Sequence, residues 1–255
     1  MRCVELEKFL QGSSRPFVAK DQSGEQWVIK AHEDIGDTKS LFNEYVAGRL
    51  ANAIELPWPT VRIAELAPQI VNQLKQADFP VKSKWAVGLK YMQGLTPFEI
   101  GSDGIAGAAR QIRSRFAEPA LQAPFYGKCL FDNWVLLEDL KADTLQIRSD
   151  GKPMFVDASM AFGGGAWREE RLKWVPRHFK KGAIYLEEII SDTRQFEPWL
   201  DRVDSVSVSL LSQILDTVPS DWPVKKGFVA ATMNFLSSTQ QMFLPQFRDS
   251  LEWIV

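Results

Sequence analysis

Alternating apolar and polar positions dominate the first thirty residues and give way to helical spacing further along the chain. "CVELEKFL" alternates, "QGSSRP" breaks the alternation, and "FVAK" is a short apolar run. "DQSGE" is a cluster of turn formers, and "QWVIKA" is rich in aromatic and β-branched residues. The pattern predicts three strands joined by two turns. Residues 37–56 then place apolar side chains at Leu41, Tyr45, Val46, Leu50, Ala53 and Ile54, which is the spacing of one helix. Asp37 or Thr38 is the capping candidate, and the helix must stop before Pro57. "TVRIAEL" reads as a strand, "PQIVNQLKQADF" as a short helix, and "KWAVGLKYMQG" as a buried strand that runs into a glycine turn.

Beyond residue 100 the period changes. "GIAGAARQIRSRFA" and "LQAPFYGKCLFDNWVLLE" read as helices, the second apolar enough to be buried. "DTLQIRSDGKPMFVDAS" reads as two short strands about an "SDGKP" turn. From about residue 165 the chain is mostly helical, ending in the long "KKGFVAATMNFLSSTQQMFLPQF". No repeat or low-complexity tract interrupts this order. The expectation is an α+β fold with two lobes, a β-rich one over 1–94 and a mostly helical one over 95–255. "QGLTPF" would be the hinge between them.

Composition narrows the function classes. The 255 residues are 45% hydrophobic and 24% charged, with a net charge of −2, as in an ordinary globular protein. That balance gives no general reason to bind nucleic acid or an anionic membrane. Two cysteines, Cys3 and Cys129, and two histidines, His32 and His178, are too few for a disulfide framework or a His-rich metal site. The first residues lack a signal-peptide core and no apolar run approaches membrane-spanning length, so a cytoplasmic setting is expected. The nine tryptophans read as core anchors. His178 lies in a basic cluster with Arg177, Lys180 and Lys181 that reads as a solvated face, and "GGGAW" (163–167) as a sharp, yielding turn.

Four charged residues fall at informative places. Lys30 ends the third strand behind the Gly/Ser turn, and Glu44 sits mid-helix. Asp139 follows the buried helix, and Asp157 ends the hairpin's second strand in "FVDASMAF". Each alone has an ordinary explanation: a solvated lysine, an exposed glutamate, a turn-capping aspartate. Together they supply what phosphoryl transfer needs. A cation neutralises phosphates, an acid holds that cation, one carboxylate binds a metal ion and another orients the attacking hydroxyl. A Gly/Ser turn can add backbone N–H groups that bind phosphate oxygens.

The segments "GSSRPFVAKDQSGEQWVIK", "NEYVAGRLANAIELPWP", "FDNWVLLED", "MFVDASMAF" and "ILDTVPSDW" resemble the HipA-like kinases, especially their short stand-alone members. The resemblance implies a protein-kinase-like fold that uses ATP and Mg²⁺ to phosphorylate protein Ser or Thr. It also implies an antitoxin-like partner, since some members are toxin halves of toxin–antitoxin pairs. It makes Lys30 the ATP-phosphate lysine, Glu44 its partner, Asp139 the catalytic-loop aspartate and Asp157 the metal ligand. Lys90, Tyr91 and Met92 would face adenine. Gly12, Ser13 and Ser14 would cover the phosphates, and the two serines are candidate autophosphorylation positions. The chain departs from the family where the catalytic loop begins. The family's Asn and Arg are replaced in "WVLLEDL", and its second metal-binding Asn is replaced by Thr144, with Asp143 as the neighbouring carboxylate. A nucleotide-binding pseudokinase that regulates or docks a partner is the alternative.

Overall fold

The computed structural model describes residues 1–12, 14–31, 39–79, 81–98, 104–137, 144–164, 168–174, 190–222, 224 and 226–250. The predicted N-terminal strands form as β1 (Arg2–Phe9), β2 (Phe17–Asp21) and β3 (Gln26–Lys30), followed by β4 (Val61–Leu66) and β5 (Trp85–Lys90). They pair in the order β1-β2-β3-β5-β4 and close into a barrel. Closure is a parallel contact at one end, Arg2 beside Glu65 and Cys3 beside Leu66. The side chains of Cys3, Phe17, Ala19, Ile29, Ala64 and Ala86 fill this part of the core, and helix α2 (Pro68–Gln76) covers it with Ile70 and Leu74. Small Ala and Cys side chains among large ones are what a five-stranded enclosure can hold without voids.

Helix α1 (Ser40–Ala53) interrupts the strands between β3 and β4. Leu41 to Gly48, with Leu50 and Ala51, are all buried, so the helix is covered on nearly every side. Gly48 permits its approach to β4, because a Cβ there would lie 2.7 Å from Val61 Cγ2. The expected caps, Asp37 and Thr38, lie outside the described residues, and Lys39 at the N-cap makes no side-chain capping bond. Glu55, in the left-handed region at φ 57°, ends the helix ahead of Pro57.

The remaining elements are α3 (Gly104–Arg115), α4 (Pro119–Trp134), α5 (Glu169–Trp174), a 3₁₀ turn (Thr193–Phe196), α6 (Glu197–Asp204), α7 (Val208–Asp216) and α8 (Lys226–Ser250). The hairpin is β7 (Leu145–Ile147) and β8 (Pro153–Phe155). The stretch expected to be a hinge also carries a two-residue strand, β6 (Thr96–Pro97), which pairs with β7. The architecture is therefore mixed α+β. One continuous apolar cluster runs from α1 and Val61, Val87 and Leu89 into α4, β7, β8 and the later helices, so the β-rich and helical parts share it.

Candidate active site

Lys30 is the last residue of β3, and its Nζ lies 2.9 Å from Glu44 Oε2 and 3.1 Å from Asp157 Oδ1. One carboxylate from α1, 14 residues on, and one from the segment after β8, 127 residues on, thus flank a single ammonium group. Exposure is graded across the trio. The Glu44 side chain is fully buried, Lys30 is 14% exposed and Asp157 is 42% exposed, so the open face of the cluster is at Asp157.

Each charge is shifted by its surroundings. Burial pushes the Glu44 carboxyl up to about 7, with Lys30 pulling the other way and the nearby Asp157 charge adding to the rise. Burial also works against the charge on Asp157. Lys30 and the bonds from Ser159 outweigh it and hold this carboxyl well below the usual carboxylate range. Burial disfavours the Lys30 ammonium too, but the two carboxylates more than offset that and raise its pKa. Lys30 and Asp157 are therefore charged at neutral pH.

Local geometry fixes the carboxylates. Asp157 sits in the left-handed region at φ 69°. Its Oδ1 accepts from the Ser159 amide at 3.2 Å and from the Ser159 hydroxyl at 2.7 Å, as well as from Lys30. Glu44 Oε2 accepts from the Ala158 amide at 3.1 Å, which ties α1 to the residue after Asp157. Glu44 Oε1 is buried with no hydrogen-bond partner.

Gly12 and Ser14 lie in the turn between β1 and β2, where the Arg15 amide donates to Gly12 O at 3.0 Å and Leu10 N–H to Pro16 O at 2.7 Å. Phe17 pairs with Ile29, so this turn and Lys30 lie at the same end of the β2–β3 hairpin. Ser14 is exposed, and Ser13 lies outside the described residues. Lys90 pairs with Trp27 at the other end of β3, about 10 Å along the strand from Lys30. The Lys90 amide donates to Thr60 O and the Tyr91 amide to Gln26 O, so both are committed to the sheet. The Lys90 side chain turns outward to Glu25 and over the Trp27 ring. Met92 is half-buried just beyond them.

Asp139 and Asp143 lie outside the described residues, as does the basic cluster around His178. The flanks of the Asp139–Asp143 stretch adjoin the Asp157 segment. Val135 O and Leu136 O accept from the Phe162 and Gly163 amides, and Thr144 O accepts from the Val156 amide. Thr144 itself is 3% exposed.

A barrel-borne lysine paired to a buried helical glutamate, with an aspartate from a distant hairpin beside them, is the arrangement that the sequence resemblance implies. The HipA-like kinase family model matches residues 4–253. The chain belongs to the HipA-like kinase family. Among solved structures, the proinflammatory kinase CtkA of Helicobacter pylori superposes with a TM-score of 0.69 over 100% of this chain and 99% of that one. At 13% identity, that likeness speaks for the fold alone. No curated protein matches the chain by sequence.

In this HipA-like kinase two groups near the site escaped the sequence reading. Asn43, beside Glu44 in "NEYVAG", is fully buried and donates to the carbonyls of Ser159, Ala161 and Gly164. A polar residue in an otherwise apolar helical face was the available signal. Lys128 and Asp132 form a buried pair within α4, both Asp132 oxygens lying 2.6 Å from the ammonium. Their i,i+4 spacing looks in sequence like an ordinary solvated helix pair. Lys128 Nζ also lies 5.8 Å from the Phe155 ring centroid, on the strand that leads to Asp157.

Proposed function

We propose that this HipA-like kinase transfers the terminal phosphoryl group of ATP to a Ser or Thr hydroxyl of a protein, in a cleft between two kinase-like lobes. The observation that carries the reading is Lys30 held between Glu44 Oε2 and Asp157 Oδ1. A single ammonium fixed by two carboxylates cannot wander, so it is ready to donate to phosphate oxygens when they arrive. Glu44, buried behind it, anchors Lys30. Asp157, at the open side, is the carboxylate suited to Mg²⁺. Its charge is retained at neutral pH, its described bonds gather on one oxygen, and nearly half of its side chain is exposed. Among the described residues no three His, Cys, Asp or Glu side chains cluster as a metal cage. Mg²⁺ takes one or two carboxylates and completes its shell with water and phosphate. When bound, the cation supplies neutralisation of charge on the phosphates.

Asp139 is assigned to accept the proton of the acceptor hydroxyl, and Asp143 or Thr144 to provide the second cation ligand. The turn from Gly12 to Ser14 covers the phosphates, and backbone groups of Lys90 to Met92 face adenine, at the far end of the same strand pair. Asp143 is the better second ligand, because buried Thr144 offers only a neutral hydroxyl. The proposed setting is the cytoplasm, with a protein substrate or antitoxin-like partner. No helix among the described residues is long and apolar enough to cross a membrane.

The test is phosphoryl transfer from labelled ATP with Mg²⁺, comparing the wild type with Asp157→Asn and Lys30→Met. Wild-type labelling of itself or of a protein acceptor, lost at least 100-fold in both variants, is expected. The altered loop between Leu136 and Thr144 favours a second reading, a regulatory module that binds nucleotide without turning it over. Saturable Mg²⁺-dependent ATP binding with no transfer would establish that reading. No binding at all would remove both.

A further inference from the structure

Asp157 belongs to a backbone segment that does not hold its shape unaided. Asp157 at φ 69° and Phe162 at φ 59° are non-glycine residues in the left-handed region, followed by Gly163 at 86° and Gly164 at 94°. An aspartate tolerates that region, but for phenylalanine it costs about 1–2 kcal/mol, so surrounding contacts must impose it. Some of those contacts come from the chain after α4, where Val135 O and Leu136 O accept from Phe162 and Gly163. Phe235 of α8 meets the Phe162 ring edge-on at 6.4 Å, and further contacts come from α1.

Asn43 Nδ2 lies 2.9 Å from Ser159 O, 2.8 Å from Ala161 O and 3.2 Å from Gly164 O. Its amide has two hydrogens for these three acceptors, so at least one N–H is shared. The side chain is fully buried, so removing it leaves three carbonyls without this donor. The next residue, Glu44, accepts from Ala158 N–H. Adjacent positions on one helix thus grip the start, middle and end of the segment that carries Asp157, and Glu44 also grips Lys30.

We propose that Asn43 is a positioning residue that holds the Ser159–Gly164 backbone so that the Asp157 carboxylate faces Lys30 and the cation site. The proposal rests on the reading of Asp157 as the cation ligand. It deepens that reading by making α1 the support of both Lys30 and Asp157. Without the three-way donation the strained segment relaxes, and the carboxylate no longer stays where the ammonium and the metal need it.

The test uses the full chain with Asn43→Ser and Asn43→Leu, the serine variant keeping a small polar group at the buried position so that the test stands even if the leucine variant fails to fold. Two measurements are made on each: amide hydrogen exchange across the molecule, and ATP-analogue binding with and without Mg²⁺. Expected is a tenfold or greater speeding of exchange confined to residues 157–164, with α4 unchanged. Expected with it is loss of most of the affinity that Mg²⁺ adds in the wild type, while metal-free binding changes less than twofold. In an Asp157→Asn background, Asn43→Ser should have no further effect on the Mg²⁺ increment. Unchanged exchange at 157–164 would overturn the proposal. So would an equal speeding of exchange everywhere, which is the mark of a purely structural residue. If the wild type binds no nucleotide, the proposed function fails by itself, and the exchange measurement still decides whether Asn43 holds the segment.

Discussion

Glu44 shows how a side chain's protonation can be tied to folding at a site built for charge. Its carboxyl is raised in the folded chain from an ordinary 4.5 to about 7, chiefly by burial. Its folded state therefore binds a proton more tightly than its unfolded state. That contribution to stability is full below about 4.5 and is lost as pH rises through 7. Asp157 has the opposite sign, since its lowered carboxyl stabilises the fold above its unfolded pKa and is lost only in acid. Glu44→Gln keeps the shape of the protonated form and removes the titration. Urea unfolding at pH 5 and pH 8 should show the wild type losing about 2–3 kcal/mol relative to Glu44→Gln over that interval. Parallel pH profiles for the two proteins would mean that Glu44 is ionised throughout and that Lys30 outweighs burial.

At the scale of elements, the sharpest expectation concerns α4. A Cβ added at Gly127 would come within 2.5 Å of the Trp199 ring, where α4 meets α6. Neither a helix backbone nor a packed indole yields easily, so Gly127→Ala should destabilise the protein by about 2–3 kcal/mol despite its gain in helix propensity. Thermal unfolding of the variant checks this, and an unchanged or raised midpoint would show that α6 can shift. The same helix shows what sequence reveals and what it hides. Strands β1 to β5 and helices α1, α2 and α4 were legible because their apolar spacing and the turn formers between them are local, even where, as in α1, nearly every side is buried. Strand β6 was not, because two residues including Pro97 carry no period, and their pairing with Ile147 and Gln146 is a tertiary choice. Lys128 and Asp132 were invisible as a buried pair, since nothing local distinguishes a solvated lysine from one enclosed by distant aromatic rings. The candidate site divides similarly. Lys30, Glu44 and Asp157 were singled out by their places at strand ends and mid-helix, and the family resemblance gave them their roles, because spacing alone could not join residues 127 positions apart. Asn43 was missed because its three acceptors lie 116 to 121 residues away.

Across the whole molecule, the segment from Thr217 to Trp222 fastens the β-rich part to the helical part. Thr217 Oγ1 donates its only hydrogen to Ile214 O at 2.7 Å, so at the 2.6 Å contact with Tyr45 the tyrosine must be the donor. Asp221 accepts from Ser83 Oγ at 2.7 Å, and Trp222 Nε1 donates to Trp85 O at 3.2 Å, both just at the start of β5. The Trp222 ring meets Tyr45 edge-on, with centroids 6.3 Å apart, against the helix that carries Asn43 and Glu44. The barrel has a small cluster of its own, but α1, Val61, Val87 and Leu89 belong to the large apolar cluster that crosses between the two parts. The chain should therefore unfold in one step, with barrel and helical probes reporting the same midpoint. Trp222→Ala removes an indole that is 3% exposed together with its bond to β5, and should cost about 3–5 kcal/mol. Both probes should move together in urea denaturation followed by hydrogen exchange of β3 and of α4. If α4 held its protection while β3 lost its own, the segment would be a local buttress for the barrel, and the two parts would fold independently.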